Sequence, residues 1–207
     1  MEPLFSDGSL ADFLIERWQF FIADLDETEH RFAGAALRGR AEEAKAVHTL
    51  VVPVLSPEMR VVEHGPVVDD VGSEPGLAEP MCLGDFADAG DLVRARLRQL
   101  EAEIRRLETT RTTIAVPFTG SAPLFRFRPS GCAIPAPLGK VEDQAILMWF
   151  ERYGKKDQAW KSVLQADLDS IDLILEAAGS EVAAFNTAVA RRVLMFLASS
   201  GMAPKSE

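Results

Sequence analysis

Few side chains in this 207-residue chain are spaced for chemistry. There are three histidines, His30, His48 and His64. Glu27 and His30 form an E-x-x-H pair, a spacing that puts carboxylate and imidazole on one helix face. A carboxylate-bridged di-iron site in a helix bundle needs two such pairs and two further glutamates, and no second E-x-x-H occurs. His48 and His64 have no ligand-spaced partners, whereas a closed zinc site takes four. The reading is of no metal and no cofactor, with Glu27 and His30 as solvated helix residues.

The two thiols, Cys82 and Cys132, are fifty residues apart and form no C-x-x-C. They read as reduced, partly buried side chains, although a single disulfide between them is open. Cys132 follows Ser130-Gly131, where close backbone approach is easy, but a nucleophilic cysteine needs a histidine delivered by the fold. No G-x-S-x-G, P-loop or G-x-G-x-x-G is present. Asp69 and Asp70 are adjacent, so in an extended segment they point to opposite faces and make a poor acid–base pair. The expectation is a protein without catalytic activity.

Arginine supplies the positive signal. Arg94, Arg96, Arg98, Arg105, Arg106 and Arg111 fall in one predicted helix, and Arg126 and Arg128 follow it, interleaved with Phe125 and Phe127. Basic side chains alternating with aromatics suit single-stranded nucleic acid. The same residues are enriched in protein interfaces. Glu101, Glu103 and Glu108 share the helix, and the chain carries a net charge of −10. That field repels polyanions, so a protein-facing surface is the preferred reading.

The elements that would position these residues follow from proline. Ten of twelve prolines lie between Pro53 and Pro137, and the other two are Pro3 and Pro204. Proline is excluded from helix interiors, so 4–52 and 138–203 are free to be helical while the middle carries turns and strands. Ser9 caps a first helix, in which Leu10, Phe13, Leu14, Trp18, Phe21 and Leu25 recur at helical spacing. A break at 26–29 leads into a second helix over 27–48, rich in alanine and glycine, which packs closely against the first.

From Leu50 the texture changes. LVVPVL, MRVVE and PVVDDV are short strand-like runs, with Pro53 and Pro66 marking edge strands. Residues 72–84 have loop composition. A long helix is expected over 85–112, with Val93, Leu97, Leu100, Ile104 and Leu107 at 4-3-4-3 spacing and Phe86 and Ile114 extending the phase. TTIAVPF and LFRFR then read as a β-hairpin, Leu124, Arg126 and Arg128 facing one way and Phe125 and Phe127 the other. Residues 129–138 are extended. Val141, Ala145, Met148 and Trp149 predict a short helix ending near Gly154. Two more helices are expected, one from about 157 to 178 and one after a corner at Gly179–Ser180.

This gives an α+β fold, mainly helical: an N-terminal helical hairpin (1–49), a mixed β and long-helix segment (50–140), and C-terminal helices (141–207) that form a bundle with the first part. The three parts can form one domain. The longest apolar run, near Leu50–Leu55, is far short of a membrane span. The N-terminus carries acids where a signal peptide would be basic, so a cytoplasmic protein is expected.

The functional expectation is a non-catalytic adaptor or structural subunit of a homo- or hetero-oligomer, with a protein partner or self-association. Its contact surface would be Val93, Leu97, Leu100, Ile104, Leu107, Arg105, Arg106, Phe125, Arg126, Phe127 and Arg128. Two alternatives stand beside it. One is a small-ligand binder or enzyme with a pocket near the 72–84 loop and Cys82. The other is a nucleic-acid-associated factor using the Arg-rich stretch 94–111.

Overall fold

The computed structural model describes residues 2–66, 93–100, 109–153 and 159–201. The chain is α+β, with long helices and a curled antiparallel sheet. Strand β1 (Glu2–Pro3) and β2 (Gly8–Ser9) precede helices α1 (Leu10–Arg31) and α2 (Gly34–His48). Then come β3 (Val54–Leu55) and β4 (Arg60–Pro66). Residues 93–100 are helical and are called α3. They are followed by β5 (Thr109–Thr119), β6 (Phe127–Arg128), β7 (Leu138–Glu142), β8 (Ala145–Tyr153) and α4 (Ala159–Ser199).

Ser9 does cap α1: its hydroxyl accepts a hydrogen bond from the Ala11 amide at 3.1 Å. Leu10, Leu14, Phe21 and Leu25 are the buried stripe. The expected break at 26–29 is corrected. The helix continues to Arg31, carried by the Glu27–Arg31 ion pair (2.8 Å) and by Thr28, which is buried and donates to the Asp24 carbonyl. The chain turns only at Phe32 and Ala33, which are extended, and at Gly34, whose φ of +57° suits a residue without a Cβ. In α2 the small residues Ala41 and Ala44 are buried, which allows close approach to α1.

The sheet runs β1-β7-β8-β5-β3, with β4 also paired to β5. The central pair is β5 with β8, in register from Thr109↔Tyr153 to Pro117↔Ala145. Thr112, Ile114, Val116 and Phe118 alternate inward on β5, and Ile146 and Met148 face the same way on β8. Of the strand-like runs, MRVVE enters β4, whereas in LVVPVL only Val54–Leu55 is a strand. PVVDDV continues beyond the described residues.

Two cores lie along α4. One gathers α1 and α2 against Ala178, Val182, Phe185, Val189, Val193 and Phe196. The other packs the inner sheet face on Leu164, Leu168, Ile171, Ile174 and Leu175. The expected corner at Gly179–Ser180 is absent: α4 is one rod of 41 residues. Its stripe of Leu168, Ile171, Leu175, Ala178, Val182, Phe185 and Val189 keeps a 3-4 alternation straight through Gly179. A glycine alone costs only about 1 kcal/mol in a helix, and the unbroken phase outweighs it.

Three further expectations are corrected. The helix over 141–154 is a hairpin of β7 and β8, turning at Asp143 (φ +50°) and Gln144. Val141, Ala145 and Met148 fit a helical period, but Ile146 and Met148 against Leu147 and Trp149 fit a strand period equally, and this β-branched and aromatic run favours the sheet. The long helix cannot reach residue 112, because β5 begins at Thr109, where Thr-Thr-Arg-Thr-Thr is β-prone. Ile114, read as extending the helix stripe, is a buried sheet residue.

The hairpin of TTIAVPF with LFRFR does not form either. The first run is a strand, but Gly120 (φ +106°) packs against residues 51–53, so closely that a Cβ there would lie 2.9 Å from the Pro53 Cα. The Ser121 amide donates to the Val51 carbonyl. Residues Ala122–Phe125 then coil into a 3-10 turn, and β6 pairs in parallel with β2 instead.

Candidate functional site

The structure distributes the predicted contact residues between two settings. Val93, Leu97 and Leu100 lie on α3 with 60%, 53% and 39% of their surface exposed, leaving a 4-3 apolar stripe in water. Arg96 on the same helix donates to the Gln99 side chain at 3.0 Å. Ile104, Arg105, Arg106 and Leu107 fall outside the described residues, as do Cys82 and the 72–84 loop.

The second setting is the packed body of the chain, where Phe125 is buried, Phe127, Arg128 and Arg111 are partly buried, and Arg126 stays exposed. Phe125 is fully buried and meets Phe118 edge-on at 4.7 Å. Phe127 stacks on Phe13 of α1 at 4.3 Å and 13°. Because 122–125 is a 3-10 turn rather than a strand, Leu124 and Phe125 are both buried, one in each core. Arg126 donates to Asp7 at 2.6 Å. Arg128 donates to the carbonyls of Cys132 and Ile134, at 3.3 and 3.0 Å, and fixes the proline-rich 129–137 segment. Arg111 sits on β5, 3.8 Å from Glu151, and not on a helix with Arg94, Arg96 and Arg98. These side chains are engaged by the fold itself.

The residues weighed for chemistry are placed as follows. Glu27 faces Arg31, and His30 Nδ1 lies 2.6 Å from the Asp26 carbonyl. His48 is buried, with Nε2 2.7 Å from Asp24 Oδ2 and its ring against Phe21. The other ring nitrogen, Nδ1, is buried without a hydrogen-bond partner. As placed, the Asp24–His48 pair ties α1 to the end of α2. Arg17 reinforces the tie by donating to the carbonyls of Val47 and His48, which the helix end leaves free; partial burial holds its guanidinium pKa below the usual value. Sequence spacing could not show this, since Asp24 and His48 are separated by a helix turn-around. Cys132 is a half-buried free thiol at the edge of the sheet core.

One cleft of about 500 Å³ opens between the N-terminal segment and the sheet. Trp149, Val141 and Phe125 give it apolar walls, and Glu2, Asp7, Arg126 and Lys140 line it as well. Its two cations are each held by a carboxylate of the same chain. Asp7 takes Arg126, and Glu142 takes Lys140, whose pKa is raised by that hydrogen bond and by the carboxylate charge.

Comparison of the chain with protein-family models, with curated proteins and with solved structures finds no match.

Proposed function

We propose that the protein is a non-catalytic subunit of a protein assembly that docks through the exposed face of α3. The observation that supports this most directly is the 4-3 stripe of Val93, Leu97 and Leu100 left in water. Adjacent large apolar side chains on one helix face are the usual mark of a contact surface. We read α1, α2 and the C-terminal half of α4 as the helical bundle that carries this surface. The nucleic-acid reading draws less support, because Arg111, Arg126 and Arg128 are engaged by groups of the same chain.

The double variant Leu97→Glu/Leu100→Glu tests the proposal. Both positions are exposed, so helicity by circular dichroism should hold while the mass measured by light scattering falls below that of the wild type. A wild-type protein that stays monomeric and recruits no partner, or a variant that assembles as the wild type does, rejects it.

A further inference from the structure

Helix α4 is finished on one side only. Its inner stripe fills both cores. On the opposite side Leu173, Leu194 and Met195 each leave about half their surface in water, and Ala166, Ala177, Ala184 and Ala188 are exposed beside them. One 18-residue stretch of α4 is apolar enough to cross a bilayer by composition, yet only 33% of it is buried within this chain. The chain's own core therefore accounts for only part of the apolar character of α4.

The charges on α4 are segregated. From Asp167 to Glu181 it carries five acids and no base; from Val182 to its end it carries Arg191 and Arg192 and no acid. Glu181 accepts from the Ser130 amide, and Asp169 from Gln165. Among the described residues Asp167, Asp172, Glu176, Arg191 and Arg192 make no ion pair. The helix dipole favours this polarity but acts only within the terminal turns, and these groups begin about two turns inside either end.

We infer that the outer face of α4 pairs antiparallel with α4 of a second copy of this chain, which rests on the reading of the protein as an assembly subunit but not on docking through α3. A two-fold axis between Ser180 and Glu181 sets Ala177 level with Ala184, Leu173 with Ala188 and Ala166 with Met195. The same register sets Ser170 and Asp169 level with Arg191 and Arg192 at both ends. Parallel pairing would stack acids on acids. The helix is roughly 60 Å long and about 10 Å wide, so each chain offers a footprint of about 600 Å². Two such faces reach the low end of the area that specific interfaces bury, roughly 1,200 Å².

Sedimentation velocity of the full chain over a concentration series tests the pairing. The wild type should be a dimer at high concentration. Arg191→Glu/Arg192→Glu and Asp169→Arg/Asp172→Arg should each associate about tenfold more weakly or worse, the scale of a few exposed ion pairs reversed in sign. An equimolar mixture of the two variants should restore the dimer, because each then offers the other the opposite charge at both ends. If the arginine variant loses helicity, Arg191→Glu alone takes its place. A monomeric wild type, a dimer insensitive to both reversals, or a mixture that stays monomeric overturns the inference. So does a monomer that floats with phosphatidylcholine vesicles, which would make a bilayer the occupant. If only Leu97→Glu/Leu100→Glu dissolves the dimer, the α3 docking stands and the α4 pairing falls. If only the α4 variants do, the α4 pairing stands and the α3 docking falls.

Discussion

The α1–α2 hairpin and α4 treat their exposed charges in opposite ways. On the hairpin, Glu27–Arg31, Arg40–Glu43 and Lys45–Glu42 all pair at i,i+3 or i,i+4. The hairpin is also closed internally by Asp24–His48 and by Arg17 on the end of α2. Helix α4, nearly twice the length of α1, has no such pair among the described residues. The hairpin therefore completes itself locally, whereas α4 takes its stability from tertiary packing along one side and leaves the other open. The two faces of α4 should respond very differently to the same chemical change.

The largest expected effect uses neighbouring residues. Val189 is fully buried and Ala188 is exposed. Val189→Asp puts an unpaired charge in the core between the hairpin and α4, at a cost of about 4 kcal/mol or more. That is a large part of the total stability of a typical domain. Ala188→Asp should lower the unfolding free energy of the dilute protein, measured in urea, by about 0.5 kcal/mol or less. Similar losses for the two variants would mean that α4 has no open face.

Much of this contrast could be read in the sequence, and the errors have a common cause. The apolar stripes of α1 and α4 and the Ser9 cap were legible because helical period and capping are local signals. The failures fell where two local signals competed. At Gly179 a helix-breaking residue competes with an unbroken stripe, and at 141–150 the helical spacing of Val141, Ala145 and Met148 competes with strand alternation; the stripe and the alternation win. Strand pairing is non-local, so nothing near TTIAVPF or LFRFR reveals that β5 takes β8 as its partner while β6 takes β2. Of the candidate contact residues, Val93, Leu97 and Leu100 are exposed, which their spacing alone does not decide. Strand alternation would set Phe125 on a sheet face, but the 3-10 turn over Ala122–Phe125 turns it inward.

Asn186 gives an intermediate effect at the seam between the two regions. Its side-chain oxygen accepts from the Leu50 amide at 3.0 Å and its nitrogen donates to the Leu50 carbonyl at 2.7 Å. Leu50 is buried at the exit of the hairpin. Asn186→Ala leaves both backbone groups unmatched, and unsatisfied buried groups cost about 1–3 kcal/mol. Chemical denaturation should show that loss, and hydrogen exchange should show the Leu50 amide losing protection. A variant with unchanged stability would mean that water replaces the side chain, and that the hairpin is joined to α4 by apolar packing alone.

The smallest effect concerns an acid on α4. Burial raises the pKa of Asp167 above the usual carboxylate value. A raised folded-state pKa means the native protein holds that proton more tightly than the unfolded chain does. The associated stability is complete below the unfolded pKa and is lost as pH rises through the folded one. At neutral pH the ionised Asp167 is therefore a mild burden, screened by the water that reaches it. Asp167→Asn should match the wild type near pH 3 and become more stable as pH rises through the carboxylate range, by no more than about 0.5 kcal/mol. Glu43→Gln on the hairpin should move the other way at neutral pH, because it removes the partner of Arg40. Parallel melts of the two variants across pH measure the sign directly. If Asp167→Asn is less stable than the wild type at neutral pH in the dilute protein, Asp167 has a cationic partner within its own chain, and the contrast between a self-paired hairpin and an unpaired α4 fails.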